Sequence, residues 1–366
     1  MLDVAREAKL SVASVSRALS GAGSRQVGDD VLKEVRRAAS KLGYQLNPIA
    51  RALRVGSSDI VGLVVPDIAL PFFSTLASGL EAVLRGAGLG MFLLDAGNDP
   101  ALERQCVSQL IARRVDKIFI SPVQMARSRA TIDYARSYAS VVQIDRYASR
   151  QAHRVITDPV KTIQLPLNHL VEQGCSSFVY VGAADGASVS LDRLTAFKNL
   201  LKQRDKLSYK RTLSGSYSVS WGQEAAAEIL KRWPKIDAVI CADDLIALGV
   251  IQGLQAAGRQ VPKQIAVAGC DDTFFAVNNQ PRITSVQQPI GAMAARALEL
   301  LLNGADEPAQ TALIEPRLCV RESTVRIPLG LFQPPVQGQL QEGAPAERRH
   351  SPARYLDKEG HVCPVP

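Results

Sequence analysis

The sequence lacks the patterns that mark membrane, secreted and zinc-binding proteins. No run of about 18 apolar residues occurs, and the N-terminus has no basic-then-apolar signal pattern. The six cysteines lie far apart without a Cys-x-x-Cys pair: Cys106, Cys175, Cys241, Cys270, Cys319 and Cys363. This spacing predicts buried free thiols rather than a disulfide framework or a zinc site. We therefore expect a cytoplasmic protein with no membrane partner.

Recognised catalytic motifs are absent as well. The four histidines, His153, His169, His350 and His361, have no Ser or Cys partner at a catalytic spacing. The sequence contains neither a His-Glu-x-x-His pattern nor a Gly-rich phosphate-binding loop that ends in Lys-Ser or Lys-Thr. His169 falls in an apolar helical pattern, which favours packing over chemistry. The sequence thus predicts no enzyme, no catalytic or metal site and no cofactor.

Charge is concentrated at one end of an otherwise ordinary globular composition. The 366 residues are 46% hydrophobic and 21% charged, which suits two or three domains with a sizeable core. Residues 1–57 hold ten Lys/Arg against five Asp/Glu, so this short segment supplies +5 of the net charge of +8. A basic head on a nearly neutral body suggests a polyanionic partner for the head. Charge alone fits a solvated basic surface equally well.

The pattern along the chain divides it into four regions. Residues 1–43 predict three short helices, the third running from Asp29 to Leu42 with Val31, Val35, Ala38 and Leu42 on one face. Residues 44–57 form a connector, in which Pro48 suits a first helical position. Residues 331–366 hold six prolines and few apolar residues, which predicts a disordered tail.

Between residues 58 and 330, apolar strand candidates alternate with amphipathic runs of helix length. The candidates are residues 60–65, 90–95, 117–121, 140–145, 178–182, 237–242 and 265–269. Short continuous apolar strands that alternate with helices favour parallel sheets covered on both faces. This segment of about 270 residues is too long for one small sheet with its helices. We therefore predict two α/β lobes with a cleft between them.

The head has the pattern of a helix-turn-helix. In LDVAREA, Val4 and Ala8 share one helical face, and VASVSRAL forms a second short helix that Ser11 can cap. Such a second helix lies in the major groove of DNA. Its exposed tip would consist of Val12, Ala13 and Ser14, with Ser16 and Arg17 beside it. These residues alone fit a generic helical hairpin too.

Seven motifs carry a closer resemblance. They are ASVSRALSG, LGYQLNPIARAL, GLVVPD, RRVDKIFISP, ADDLIALG, VAGCDDT and VRES. In this order and spacing the chain resembles the lactose-repressor (LacI/GalR) family of bacterial transcription regulators, from residue 1 to about residue 328. The resemblance implies a three-helix DNA-binding head (1–43), a linker with a hinge helix (44–57, the helix matching 48–55) and a two-lobed, periplasmic-binding-protein-like α/β body (58–330). The chain would cross between the interleaved lobes near residues 157, 285 and 317.

The resemblance also implies roles in DNA binding. Val12 and Ala13 occupy the pair that reads bases, and Arg17 the position of the recognition arginine. Ser11, Ser14 and Ser16 occupy phosphate-contacting or capping positions. In the hinge helix, Leu53 matches the residue that wedges into the central base step, and Arg54 lies beside it. The family's cap of the first helix is missing here. We expect either a start upstream of Met1 or a head that relies more on DNA and dimerisation for its stability.

The body is expected to hold a small molecule at the carboxyl ends of its strands. The candidate effector-binding residues fall at or near those ends: Phe72, Phe73, Ser121, Asp145, Arg146, Arg193, Tyr217, Asp243, Asp271 and Gln288. Aromatic rings can stack on a sugar ring, while Asp and Arg can bond paired hydroxyls. Single residues keep simpler interpretations: Asp244 as a helix cap, Asp272 as a turn residue, and Phe72 or Phe73 as core.

Two cleft positions depart from the family pattern. Leu70 and Asp243 each stand where the family motifs place Asn. A second carboxylate near Asp271 would repel an anionic ligand, so we predict a neutral sugar rather than a sugar phosphate, with a cationic ligand left open.

The sequence therefore predicts a homodimeric repressor that binds a near-palindromic operator in double-stranded DNA under the control of a sugar-like effector. The alternative is a cytosolic or exported sugar-binding module that does not contact DNA.

Overall fold

The computed structural model describes residues 1–19, 28–44, 58–204, 211–304 and 307–326. The predicted hinge helix, with Leu53 and Arg54, and the predicted disordered tail lie outside these described residues.

Three short helices form the head: α1 (Leu2–Glu7), α2 (Val12–Leu19) and α3 (Asp29–Lys41). They enclose a small core in which Val4, Val15 and Val35 are fully buried. The Ser11 side chain caps α2 by accepting a hydrogen bond from the Ser14 N–H at 3.1 Å. In α1, by contrast, no side chain bonds the first turn.

The prediction for Leu42 is wrong. The side chain was expected on the apolar face of α3, but it is 44% exposed. Helix α3 ends at Lys41, and Leu42 adopts a non-helical backbone conformation just beyond it. The helical periodicity therefore no longer sets the direction of its side chain. Gly43 follows with φ +58°, a left-handed conformation that glycine adopts without strain.

The body consists of two lobes, each built on a six-stranded sheet. Lobe 1 comprises β1 (Ile60–Val65), α4 (Pro71–Gly86), β2 (Gly90–Asp95), α5 (Pro100–Ala112), β3 (Lys117–Ile120), α6 (Arg129–Arg136), β4 (Ser140–Ile144), β5 (His153–Thr157), α12 (Ile290–Asn303) and β11 (Thr311–Ile314). Its strand order is β11-β5-β4-β3-β1-β2, and all neighbouring strands are parallel.

Lobe 2 comprises α7 (Pro159–Glu172), β6 (Phe178–Ala183), α8 (Ser188–Lys202), β7 (Thr212–Gly215), α9 (Val219–Arg232), β8 (Ala238–Cys241), α10 (Asp244–Ala256), β9 (Ala266–Cys270), α11 (Phe274–Val277), β10 (Thr284–Gln287) and β12 (Arg317–Cys319). Its strand order is β12-β10-β9-β8-β6-β7. Only β12 runs antiparallel to its neighbour. The chain crosses between lobes after β5, after β10 and after β11.

The predicted fold class, with a helical head and two parallel-sheet lobes, is confirmed. All seven strand candidates are strands, within two residues at either end. The sequence did not reveal β5, β7, β10, β11 and β12. These strands are three to five residues long, and most carry polar or partly exposed side chains. They consequently lack the continuous apolar runs that identify central strands.

Buried apolar residues lie on both faces of each sheet, as parallel strands require. The cysteines among the described residues are free, and all but Cys319 are buried. His169 is also buried, and its Nε2 lies 2.7 Å from Thr324 Oγ1. None of the helices in the described ranges combines the length and apolar character needed to cross a bilayer.

Candidate functional site

One face of α2 is turned outward while the other packs into the head. Val15 and Ala18 are buried, whereas Val12 is 39% exposed. Ser11, Ala13 and Arg17 are exposed, and Ser14 and Ser16 are partly exposed. Lys9, at φ +53°, reverses the chain between α1 and α2. The six candidate DNA-binding residues of the head thus lie at the start and along the accessible side of one short helix.

The second candidate site is a cleft at the carboxyl ends of the strands, lined by both lobes. Nine of the ten candidate effector residues line it: Phe72, Phe73, Asp145, Arg146, Arg193, Tyr217, Asp243, Asp271 and Gln288. The structure does not place Ser121 in this lining. Ser121 is fully buried at the end of β3, and its hydroxyl has no hydrogen-bond partner among the described residues.

Other lining residues were not predicted from the sequence, among them Val189, Leu245 and Thr273. Val189 and Leu245 belong to the first turns of α8 and α10, and Thr273 directly precedes α11. Each of these helices follows the carboxyl end of a sheet strand. Their position just after a strand could have indicated a place in the cleft. Their side chains carry no charge or aromatic ring, so the sequence offered no chemical reason to choose them.

Arg146 connects the two lobes across the cleft. Its guanidinium lies 3.8 Å from Asp145 Oδ2 in lobe 1 and 3.4 Å from Asp185 Oδ2 in lobe 2. It also lies 5.3 Å from the ring centre of Phe73 and 5.8 Å from that of Tyr217. Arg146 Nε makes no hydrogen bond within the described part of the chain. A buried donor of this kind suits a hydroxyl or a water inside the cleft.

The second arginine, Arg193, is held by lobe 2. Its Nη1 donates to the carbonyl oxygen of Ala242 at 2.9 Å, and the residue is 4% exposed. Nearby, the Tyr217 hydroxyl lies 2.9 Å from Ser190 Oγ, which donates to Asp185 at 2.7 Å. These bonds fix one arginine and one aromatic ring on the lobe 2 wall of the cleft.

The two adjacent carboxylates of α10 have different roles from those expected. Asp243, rather than Asp244, caps the helix by accepting a hydrogen bond from the Ile246 N–H at 2.8 Å. Asp244 instead accepts hydrogen bonds from the Thr273 N–H (2.6 Å), the Thr273 hydroxyl (2.9 Å) and the Ser285 hydroxyl (2.6 Å). The cap prediction for Asp244 is therefore wrong by one residue. Sequence spacing defined the helix start only to within a residue.

Burial raises the pKa values of the cleft carboxylates. The pKa of Asp145 is raised to about 6 by burial, against the opposing charges of Arg146 and Arg193. Burial and the nearby charge of Asp271 raise the pKa of Asp244 to about 7, and the same two causes raise the pKa of Asp243 well above its usual range. Burial thus favours the protonated forms of Asp145, Asp243 and Asp244.

Gln288 joins the lobes at the crossing that follows β10. Its side-chain oxygen accepts a hydrogen bond from the Thr157 hydroxyl in lobe 1 at 2.7 Å. Its amide nitrogen donates to Asp271 Oδ1 in lobe 2 at 2.6 Å. Gln288 thus positions a cleft carboxylate while it bridges two crossing segments.

A separate set of bonds, which we call the latch, joins the lobes beside the cleft. The Tyr147 hydroxyl donates to Asp192 Oδ2 at 3.0 Å, and the Tyr147 N–H donates to Ser188 Oγ at 2.9 Å. The Arg154 guanidinium lies 4.5 Å from the centre of the Tyr147 ring. The two hydrogen bonds join lobe 1 to α8 of lobe 2.

The cleft therefore offers flat aromatic surfaces, two fixed cations and several carboxyl groups within a small volume. Such a set can bind a ring through stacking and through paired hydroxyls.

Comparison with known protein families identifies both parts of the chain. The model for bacterial regulatory proteins of the lacI family matches residues 1–47. The model for a periplasmic binding protein-like domain matches residues 167–324.

Individual relatives match over most of the chain. The transcriptional regulator GalR of Escherichia coli is 31% identical over 326 residues, covering 88% of this chain and 94% of the relative. The ribose operon repressor of Halalkalibacterium halodurans is 28% identical, covering 88% of this chain and 96% of the relative. These relatives are transcription regulators rather than enzymes.

Solved structures show the same fold. A lac repressor dimer bound to operator and the anti-inducer ONPF matches with a TM-score of 0.77 at 20% identity, covering 88% of this chain and 98% of that one. A complex of the transcriptional regulator CelR with cellobiose matches with a TM-score of 0.66 at 27% identity, with the same coverage. The chain belongs to the LacI/GalR family of bacterial transcription regulators.

Proposed function

We propose that the chain is a sequence-specific DNA-binding repressor of a carbohydrate-use operon, controlled by a small sugar-like effector bound between its lobes. The observation that carries the proposal is the pairing of two sites in one chain. Helix α2 exposes Val12, Ala13 and Arg17, and the body holds a buried polar cleft. A DNA-binding regulator would work in the cytoplasm, where the bacterial chromosome lies.

The exposed residues of α2 suit the major groove. An arginine can donate two hydrogen bonds to the edge of a guanine, and Val or Ala side chains can contact thymine methyl groups. Ser11 and Ser14 suit phosphates at the helix N-terminus, where backbone N–H groups favour negative charge.

The cleft suits a neutral ligand better than an anionic one. Asp145, Asp243 and Asp271 face the ligand volume alongside Arg146 and Arg193. Any ionised carboxyl group here would repel a phosphate, and the protonated ones can donate hydrogen bonds to hydroxyl oxygens. Relatives support the ligand class, since one is a ribose operon repressor and another binds cellobiose.

The effector would act by changing the populations of two arrangements of the lobes. A ligand that contacts both lobes favours the closed arrangement by its difference in affinity for the two states. Either induction or corepression is compatible with this coupling.

A homodimer fits the exposed apolar side chains. Phe92 and Leu93 on β2 are each 42% exposed, and Phe274 on α11 is 71% exposed. Two copies would present two reading helices to a near-palindromic site.

The proposal is tested by DNA binding of the full chain. Palindromic fragments from the neighbourhood of its gene are titrated by fluorescence anisotropy, at low salt and at increasing salt. We expect tight binding that weakens steeply with salt, because phosphate contacts release counterions. Arg17→Ala should weaken specific binding by about 10- to 100-fold, which corresponds to roughly 1–3 kcal/mol for one base contact.

Arg85→Ala is the matched control, since Arg85 lies on the surface of lobe 1 and pairs only with Glu81 among its described contacts. It should leave DNA affinity unchanged. If no fragment binds at low salt while sugars still bind the cleft, the repressor proposal fails and the alternative of a sugar-binding module stands.

A further inference from the structure

The lobe 2 wall of the cleft carries two carboxyl groups that lack a counter-charge. Asp243 and Asp271 lie just beyond the carboxyl ends of β8 and β9, which are neighbouring parallel strands, and both residues line the cleft. The ion pairs formed at the cleft by the described residues involve Asp145 and Asp185 instead. The lobe 2 wall is therefore acidic toward the ligand.

Asp243 keeps one oxygen atom available to a ligand. The residue is 6% exposed, and its Oδ1 accepts the capping hydrogen bond from the Ile246 N–H at 2.8 Å. Its Oδ2 accepts no hydrogen bond from the part of the chain that the structure describes. Burial and the charge of Asp271 raise the pKa of Asp243 well above its usual range, against the weaker opposing effect of Arg193. An ionised carboxyl group at this position is therefore costly until a cation joins it.

The two arginines of the cleft do not balance its carboxyl groups. Arg146 pairs with Asp145 at 3.8 Å and with Asp185 at 3.4 Å. Arg193 donates to the carbonyl oxygen of Ala242, and it attracts the lobe 2 carboxyl groups only from a longer distance. Five carboxyl groups thus surround two guanidinium groups in and beside the cleft: Asp145, Asp185, Asp243, Asp244 and Asp271. This surplus of acidic groups favours a positively charged group on the ligand.

The choice of a carboxyl group at Asp243 points the same way. Asparagine, which the family motifs place here, could also accept the capping hydrogen bond of α10. Its amide could bond a neutral hydroxyl without the cost of a buried charge. The main property that aspartate adds is its ability to carry negative charge, which is useful toward a cation.

We propose, on the basis of the proposed sugar-responsive function, that the effector is an amino sugar whose ammonium group binds beside Asp243 and Asp271. The ammonium group can donate three hydrogen bonds, and its charge makes an ionised Asp243 favourable in the complex. The sugar hydroxyls would bond other polar groups of the cleft. One of these is Arg146 Nε, a buried donor without a hydrogen bond to any described residue.

Matched sugars test the proposal on the full chain. The probes are D-glucosamine, D-galactosamine and D-mannosamine, each compared with its parent hexose and with its N-acetyl derivative, which keeps the nitrogen but removes the charge. Thermal unfolding is followed at rising sugar concentration, at about pH 6.5, where an ordinary amine carries its proton. We expect at least one amino sugar to bind about tenfold more tightly than both of its neutral counterparts, because only the amine completes a buried charge pair.

The proposal is overturned if a neutral counterpart binds as well as the amino sugar or better in every set, or if none of these sugars raises Tm. Operator binding is measured separately without sugar. A chain that binds operator but prefers the neutral sugars would keep the proposed function and lose only this inference. A chain that prefers an amino sugar but binds no operator would keep the ligand and lose the repressor function.

A variant of Asp243 gives a second test. Asp243→Asn should bring the preference for the amino sugar over its parent hexose close to unity, because the amide is neutral but can still cap α10. Asp99→Asn is the matched control: Asp99 caps α5 by accepting from the Ala101 N–H at 2.8 Å and does not line the cleft. It should retain the preference. An unchanged ratio of the two Kd values in Asp243→Asn would overturn the placement of the ammonium group beside this carboxyl group.

Discussion

At the scale of single residues, Asp145 combines burial with an ionisable group. Its folded pKa of about 6 exceeds its ordinary value of 3.8. As pH rises from about 4 to about 6, the unfolded chain loses this proton first, so the free energy of unfolding falls over that interval. This difference in pKa corresponds to a fall of roughly 3 kcal/mol in the free energy of unfolding.

Asp145→Asn should remove this part of the pH dependence, because the amide does not ionise. Urea unfolding at about pH 4 and about pH 6.5 measures the change in both proteins. Glu224→Gln, at an exposed site on α9, is the control and should keep the wild-type decline. An equal decline in Asp145→Asn and wild type would contradict the assignment.

The polar and aromatic residues at strand ends predicted most of the residues that line the cleft. They did not predict the contacts that each side chain makes. The sequence singled out Asp243 as a cleft residue, and the structure shows in addition that it caps α10. The sequence also placed Ser121 in the cleft because this residue directly follows β3. In the structure Ser121 is fully buried and does not line the cleft. The end of a strand defines a neighbourhood of several ångströms, whereas side-chain direction depends on packing from other segments.

At the scale of elements, α9 and α10 pack so closely that only glycine fits between them. A Cβ on Gly249 would lie 2.8 Å from Gly222 Cα and closer still to the carbonyl oxygen of Val219. Gly249→Ala should therefore push the two helices apart and lower the free energy of unfolding by about 3 kcal/mol, at the upper end for overpacking.

Gly291→Ala is the matched control within another helix. A Cβ there meets nothing within 4 Å. Because alanine favours helices over glycine, this variant should unfold with unchanged or slightly higher free energy, by about 0.5–1 kcal/mol. Chemical denaturation of both variants measures the contrast, and equal stabilities would refute the close-packing argument.

Central and edge strands differ in how clearly the sequence predicts them. Residues 60–65 are apolar throughout and form the buried strand β1. In β11, residues 311–314 alternate between exposed and partly buried, and the strand pairs with β5 from a distant part of the chain. A central strand contains its own apolar signal, whereas an edge strand is ordered mainly by the partner it pairs with.

At the scale of the whole molecule, the latch links the lobes independently of the cleft. Tyr147→Phe removes the hydrogen bond to Asp192 but keeps the ring against Arg154. One such bond contributes about 0.5–1.5 kcal/mol, so the closed arrangement should become less populated. Effector affinity should weaken by about 2- to 10-fold as a result.

Isothermal titration with the effector measures the change. Tyr138→Phe is the control, since Tyr138 is 60% exposed and does not belong to the latch. If both tyrosine variants bind the effector like wild type, the latch has no part in closure.

The proposed homodimer depends on exposed apolar side chains such as Phe274. Phe274→Asp should weaken self-association by at least about tenfold, because it buries a charge in the proposed interface. Analytical ultracentrifugation of the full chain measures the dimer dissociation constant. Leu313→Asp changes another exposed apolar side chain, on β11, and should leave self-association unchanged. Loss of dimer in Leu313→Asp alone would place the interface elsewhere.

The sequence by itself determined the fold class, the family and most of the strand ends that surround the cleft. These features depend on local periodicity and on short motifs. Each segment of the chain contains them regardless of the segments it packs against.

Only the tertiary structure decided which side chains converge. It placed Leu70, Val189 and Leu245 in the lining of one cleft, although more than a hundred residues separate the first from the others. It also joined Tyr147 to Asp192 and made Asp243 rather than Asp244 the helix cap. Such contacts depend on how the two lobes, built from interleaved segments, face each other. A local sequence pattern contains no information about the relative position of two segments that are distant in the chain.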